Sequence, residues 1–313
     1  MSTRPTCALV LLCVVQGCER FAFFAMLPLF VLYLHQRHGF SEPSSLLVLG
    51  VFQSLSFCGG QPAGAAIDSK LGPTAALILG GALLTLGYAG LATDHRALLW
   101  PALALIVVGH SFFRPGMGTL LSRSSTTGDE RIERAFLWQY LAINVAGILG
   151  PLAGESAQTT GGWGRLFLYS AAAMFVDTFV LSVGAGLLPA EARRAASEGD
   201  AVADSGDSRE RWNAVWLLCC LAAVFWLTTQ QAASSLVLFA ESHTERSVAV
   251  FGRSLPIGPA QFASLHSLLV LVLLLGSAIG FGRLRRSRAA PSLPSRMVWG
   301  YVATAAAFAL RAL

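Results

Sequence analysis

Charge is what this sequence has least of. Only 12% of its 313 residues are Asp, Glu, Lys or Arg, about half of the roughly 25% found in soluble domains. With 54% hydrophobic residues and so thin a polar coat, the chain is neither a disordered segment nor an ordinary soluble enzyme. Cysteine is sparse as well. Cys7, Cys13, Cys18, Cys58, Cys219 and Cys220 lie in apolar runs with no CxxC pair and no Cys/His ligand spacing. That excludes a secreted disulfide scaffold, gives no basis for a metal site, and leaves the thiols as small core hydrophobes. The motifs HExxH, GxSxG and GxxxxGK[ST] do not occur, and no apolar stretch holds paired aspartates. Neither an intramembrane enzyme nor an ATP-driven pump is indicated, and no cofactor is called for.

What is present is hydrophobicity in long runs, with a mean hydropathy of +0.61. A helix needs about 20 mostly apolar residues to cross the hydrocarbon. Nine stretches meet or approach that length, at 7–34, 44–67, 73–93, 97–121, 135–156, 165–188, 212–239, 260–282 and 297–313. The first is no cleaved signal peptide, since it is too long and carries Glu19 and Arg20 at its centre. The expected class is an all-α polytopic membrane protein. The net charge of +5 does not point to nucleic acid, because the basic residues are spread loop by loop. With the N-terminus cytoplasmic, the inner segments hold 14 basic residues and the outer loops five. The positive-inside rule therefore places the N-terminus inside the cell membrane, here the plasma (inner) membrane.

Residues 190–211 break the apolar pattern with small, acidic and basic residues, as a solvated cytoplasmic linker does. The expected organisation is a six-helix bundle over 1–189, that linker, and a partial bundle of about three helices over 212–313. Six helices, an inner linker and further helices is a major-facilitator layout.

An ion inside hydrocarbon costs roughly 2.5–3.5 kcal/mol on insertion scales, so each intramembrane charge is a functional candidate. Glu19, Arg20, Arg114 and Asp177 are such residues, with Glu155 near the outer end of its span. Gln16, Arg20 and Phe23/Phe24 stack along one helix face, with Glu19 on its flank. That face requires a wet cavity or a partner charge: it is either a structural ion pair locking helices together or a site near the membrane midplane. Arg114 precedes Pro115 in GHSFFRPGMG. A guanidinium at a helix bend suits capture of a carboxylate, and the plainer alternative is neutralisation by Asp177 or Glu19. Asp177 serves helix packing at least as readily as transport. The inner loop GAAIDSKLG carries Asp68 and Lys70 beside glycines that permit a tight turn.

These residues resemble a known family. CERFAFFAM is similar to the ExxERFxYY signature of the proton-dependent oligopeptide transporters, and GAAIDSKLG to the loop that major facilitators carry between their second and third helices. GHSFFRPGMGTL resembles the fourth-helix GxGxFKPN stretch of the same transporters. FLWQYLAINVAGILGPLAG resembles their fifth-helix YxxINxGxxxxP motif, and VFWLTTQQAASSLVLFAESHTER and IGPAQFASLHSLLVL their seventh and eighth helices.

The resemblance implies a central cavity for di- or tripeptides, working by proton symport within membrane lipid. Arg20 and Arg114 would take the peptide carboxylate, and Asn144 the amino end or backbone. Phe23, Phe24 and Trp226 would shape side-chain pockets, Gln231 and His266 would line the cavity, Glu19 would couple protons, and Asp68 and Lys70 would serve the gating loop. Several positions depart from the family. Gln16 and Gln230 replace acids and cannot titrate, Phe23 and Phe24 replace tyrosines, and His266 and Ser267 replace Asn and Pro. Glu19, Asp177 and His266 remain as titratable candidates. The chain also ends in its ninth span, without a tenth-helix glutamate. The alternative reading is a truncated or degenerate relative without coupled transport.

Overall fold

The computed structural model describes residues 3–124, 129–194, 208–229, 235–243, 247–250, 253–256, 258–286, 295, 298–303 and 305–306. Helices dominate: α1 Thr3–Leu32, α2 Glu42–Cys58, α3 Gly60–Ala66, α4 Pro73–Ala92, α5 Leu99–Ser124, α6 Asp129–Gly184, α7 Ala190–Arg193, α8 Ser208–Thr229, α9 Ser235–His243 and α10 Gln261–Arg286. Single π-helical turns continue α1 through Tyr33–Arg37 and α3 through Ile67–Leu71. Pro28 and Pro115 lie inside α1 and α5, where membrane helices tolerate the lost backbone donor because neighbouring elements satisfy the freed carbonyl.

At 56 residues, α6 would stretch to roughly 84 Å if straight, nearly three hydrocarbon thicknesses. It breaks at Gly162, whose φ of 75° lies in the left-handed region that glycine enters without a Cβ clash. The contacts with α1 show that the chain turns back there. Before the break, Gln139 touches Gln16 and Gly154 meets Ala25; after it, Ser170 Oγ donates to the Ala22 carbonyl at 3.0 Å and Gly184 meets Leu11. The first half of α6 therefore runs parallel to α1 and the second half antiparallel to it. The stretches 135–156 and 165–188 expected from the sequence lie on the two sides of this break.

Two compact units divide the chain. One comprises residues 1–203 and 232–268, the other 204–231 and 269–313. In the first unit α1 is the hub, with Leu12, Val15, Ala22, Met26 and Phe30 at most 1% exposed. Lipid tails give no hydrophobic drive between helices, so close packing of small residues holds them together. A Cβ on Gly150 would stand 2.9 Å from the Phe21 carbonyl oxygen, and one on Gly154 would collide with the Ala25 carbonyl. Gly154→Val is expected to force α6 off α1 and lower the thermal unfolding midpoint by several degrees; an unchanged midpoint in detergent would contradict this packing.

In the second unit α8 presents Trp212, Trp216, Leu217 and Val224 as exposed apolar side chains, as a lipid-facing helix does. Residues 230–234, between α8 and α9, lie outside the described residues, and with them Gln230 and Gln231.

Two findings add to the sequence reading. The segment after α9 contains a short antiparallel hairpin, β1 Ser247–Val250 with β2 Arg253–Pro256, in which Val248 faces Leu255. The cysteines are not core residues. Cys7, Cys58, Cys219 and Cys220 are exposed, and Cys13 and Cys18 line an apolar groove between α1 and α6 with Phe21 and Trp138. A surface that meets lipid accepts a thiol as readily as a protein core does, so hydrophobicity alone did not tell the two apart.

Candidate functional site

Three helices of the first unit bring the intramembrane charges together. From α1, Glu19 is fully buried, and the Arg20 guanidinium holds both of its carboxylate oxygens through Nε and Nη2. Gln16, one turn earlier, donates Nε2 to Glu19 Oε2 at 3.0 Å, and its own Oε1 accepts from Gln139 Nε2 of α6 at 3.0 Å. From α5, His110 is fully buried with Nδ1 at 3.2 Å from Glu19 Oε1. The Glu19–Arg20 pair is thus internal to α1. What ties the helices together is the Gln139–Gln16 bond and the approach of His110.

Phe23 stands in the middle of this cluster. The Arg20 guanidinium carbon lies 5.0 Å from its ring centre and that of Arg114 lies 5.2 Å from it, while the His110 ring meets it edge-on at 5.2 Å. Phe24 is a further 5.9 Å neighbour of Arg20. A phenyl face offers negative charge to a cation without accepting a hydrogen bond, so Phe23 and Phe24 leave both guanidinium groups free to bond elsewhere.

Arg20 uses that freedom on Glu19, whereas Arg114 does not use it. Its guanidinium packs on Phe57 at 4.4 Å and on Phe23, and none of its three nitrogens has a hydrogen-bond partner among the described residues. Arg114 thus makes no hydrogen bond to Asp177 or Glu19 among the described residues, while the Glu19 carboxylate lies within electrostatic reach of it. Asp177 is fully buried, its carboxyl oxygens have no hydrogen-bond partner among the described residues, and it faces α4 at Gly81, where a side chain would collide with Thr178. Glu19, Arg20 and Arg114 together carry one net positive charge. An acceptor that matched the Arg114 guanidinium would carry two oxygens and one negative charge.

The remaining expected residues are distributed more widely. Asn144 is buried and donates Nδ2 to the Tyr140 carbonyl of its own helix at 2.8 Å. His266 lies on an exposed face of α10, and none of the contacts around Glu19, Arg20 and Arg114 includes it. Trp226 belongs to the second unit, on α8, and Gln231 lies outside the described residues. At the other end of α5, Arg123 Nη2 stands 3.5 Å from Asp68 Oδ1 and Nη1 donates to the Arg194 carbonyl at 3.0 Å, while Lys70 is exposed in the same turn. Glu155 caps the start of α10, accepting from the Ala260 amide at 2.9 Å, with Gly258 so close that any side chain there would meet its carboxyl group.

His110 is the site residue the sequence reading passed over. It precedes Arg114 by four residues and so shares its helix face, which is the signal that would have found it.

Comparison with known proteins agrees with this architecture. The model of the Major Facilitator Superfamily matches residues 9–313. The chain belongs to that superfamily. Among curated relatives, this major facilitator is 29% identical over 174 residues to dipeptide and tripeptide permease A of Chromobacterium violaceum, covering 54% of this chain and 35% of the permease. It is 31% identical over 147 residues to dipeptide and tripeptide permease B of Photorhabdus luminescens, covering 45% and 30%. The matched stretch is thus about a third of each permease. Among solved structures, a bacterial homologue of the human drug peptide transporters superposes with a TM-score of 0.75 at 24% identity, covering 88% of this chain and 71% of the other. A peptide transporter crystallised with alafosfalin gives 0.76 at 22%, covering 88% and 68%. At these identities the likeness concerns the fold. The family consists of transporters rather than enzymes, and the chain is a multi-pass membrane protein of that kind.

Proposed function

We propose that the protein carries di- or tripeptides across the inner membrane by proton symport, with its N-terminus in the cytoplasm. The observation that carries this reading is the buried Arg114 guanidinium, stacked on two aromatic rings and short of acceptors. An unpaired buried donor of this strength is costly unless a ligand completes it. A peptide carboxylate supplies two acceptors and the missing charge. The permeases among the relatives, named for dipeptides and tripeptides, favour the same ligand.

In this reading Arg114 holds the carboxylate, Arg20 supports it when released from Glu19, Phe23 and Phe24 bound the side-chain space, and Asn144 meets the peptide backbone. Glu19 belongs to the proton-coupling network. Trp226, Gln231 and His266 contribute from the remaining helices. The 190–211 linker joins the six-helix part to the rest, and the Asp68–Arg123 pair with Lys70 closes the cytoplasmic side.

Proteoliposomes loaded with dialanine test the reading. Counterflow of labelled dialanine is expected, and an inward-directed proton gradient should raise internal dialanine above the external level. Equilibration unaffected by an uncoupler would remove symport, and no counterflow would remove peptide transport altogether.

A further inference from the structure

We infer that His110 is a proton-binding residue of this transporter, exchanging a proton with water while its Nδ1 faces the Glu19 carboxylate. The inference rests on the transport reading above and deepens it. Gln16 and Gln230 stand where the resembling family has acids, which leaves few titratable side chains beside Glu19 in these helices. Imidazole is the side chain whose ordinary titration falls between about pH 5 and 8.

The geometry places this imidazole where a proton would change the site. His110 is fully buried, Nδ1 is 3.2 Å from Glu19 Oε1, and neither ring nitrogen completes a hydrogen bond among the described residues. The ring is thus spare donor and acceptor capacity pointed at the single acid of the cluster. Its charged and titratable surroundings come from every packed helix. Glu19 and Arg20 face it from α1, and Arg114 lies on its own helix. The buried Tyr88 hydroxyl of α4 and Asp177 of α6 lie within electrostatic reach of Glu19.

Charge then couples the proton to the peptide. In the empty site, the Arg114 guanidinium and the His110 ring lie against the same Phe23 ring, each 5.2 Å from its centre, so a positive charge on one opposes a positive charge on the other. A carboxylate bound to Arg114 cancels that opposition, so His110 takes a proton from water more readily when substrate is present. The imidazolium Nδ1–H then donates to Glu19 Oε1. Glu19 now shares its single negative charge between His110 and Arg20, which loosens Arg20 and lets its guanidinium join Arg114 at the carboxylate. Release of the peptide on the other side restores the repulsion, and the proton leaves His110 for water there. By linkage, the proton must strengthen peptide binding by the same factor that peptide strengthens proton binding.

His110→Asn and His110→Gln keep an N–H donor for Glu19 and lack a titration, so a merely structural role survives in them. Measured with dialanine, counterflow in both variants should lose the pH dependence that the parent shows, each profile referred to its own maximum. Accumulation driven by a proton gradient should fall to equilibration. Parent-like accumulation and pH profile in either variant would overturn the assignment and leave peptide transport intact. Loss of counterflow in both, with unchanged thermal melts, would make His110 a positioning residue for Glu19 and overturn it as well. Absence of dialanine counterflow in the parent protein would instead remove the transport reading, and this inference with it.

Discussion

Arg114→Met is expected to lower dialanine counterflow by about 10- to 100-fold, because each hydrogen bond to a charged group is worth roughly 1.5–3 kcal/mol. The substituted side chain fills similar space against Phe23 and Phe57, so folding is not the cause. Arg114→Lys keeps the charge and loses the two-pronged donor geometry. Lysine is the residue usual at this position in the resembling family, and about a fivefold loss is expected of it. Counterflow by Arg114→Met at the parent rate would mean that the carboxylate is held elsewhere. The effect is large because Arg114 is the one intramembrane cation here that carries no hydrogen bond among the described residues.

Glu19→Gln should have the second large effect, and of a different kind. The amide retains the shape and can accept one bond from Arg20, but it cannot carry the negative charge that Arg20 grips and that His110 faces. Proton-driven accumulation of dialanine should fall to equilibration while exchange of peptide for peptide persists. Removing one partner from a buried pair also destabilises by about 3–5 kcal/mol, so a lower thermal midpoint should accompany the loss. Accumulation at parental level in Glu19→Gln would exclude Glu19 from coupling.

The contrast between Arg20 and Arg114 also shows where sequence reasoning stops. Apolar run lengths located the membrane-length helices of the first unit, and the helical spacing put Gln16, Arg20 and Phe23 on one face of α1. The charges that matter were few enough to single out by eye. Which charge bonds to which was not legible, since it depends on how α1, α5 and α6 are rotated about their own axes. Arg20 could have bonded any acid in the bundle and instead takes its neighbour Glu19. Arg114 had two buried acids available by composition and bonds neither. His110 and Gln139 lie 91 and 123 residues from the α1 side chains they meet, and nothing local marks those pairings. The hairpin after α9 was hidden for another reason: its two strands are only four residues each, too short for an alternating pattern to stand out from a polar loop.

Side-chain chemistry explains the conservative-looking exchanges too. Phenylalanine at 23 and 24 abandons two hydroxyl donors, yet places an aromatic face against each arginine. Gln16 cannot titrate, yet its amide donates to Glu19 and accepts from Gln139, which a carboxylate could not do at once. The titratable groups in and near the cluster are Glu19, His110, Tyr88 and Asp177.

Carboxylate capture at Arg114 is the centre of this account, and competition by dialanine and by its C-terminal amide tests it most directly. In the parent protein, dialanine should inhibit labelled dialanine counterflow at concentrations at least about tenfold below those needed for the amide, as expected when a charge-assisted pair of hydrogen bonds is lost. In Arg114→Met the two should inhibit alike. Equal inhibition by peptide and amide in the parent protein would contradict the account.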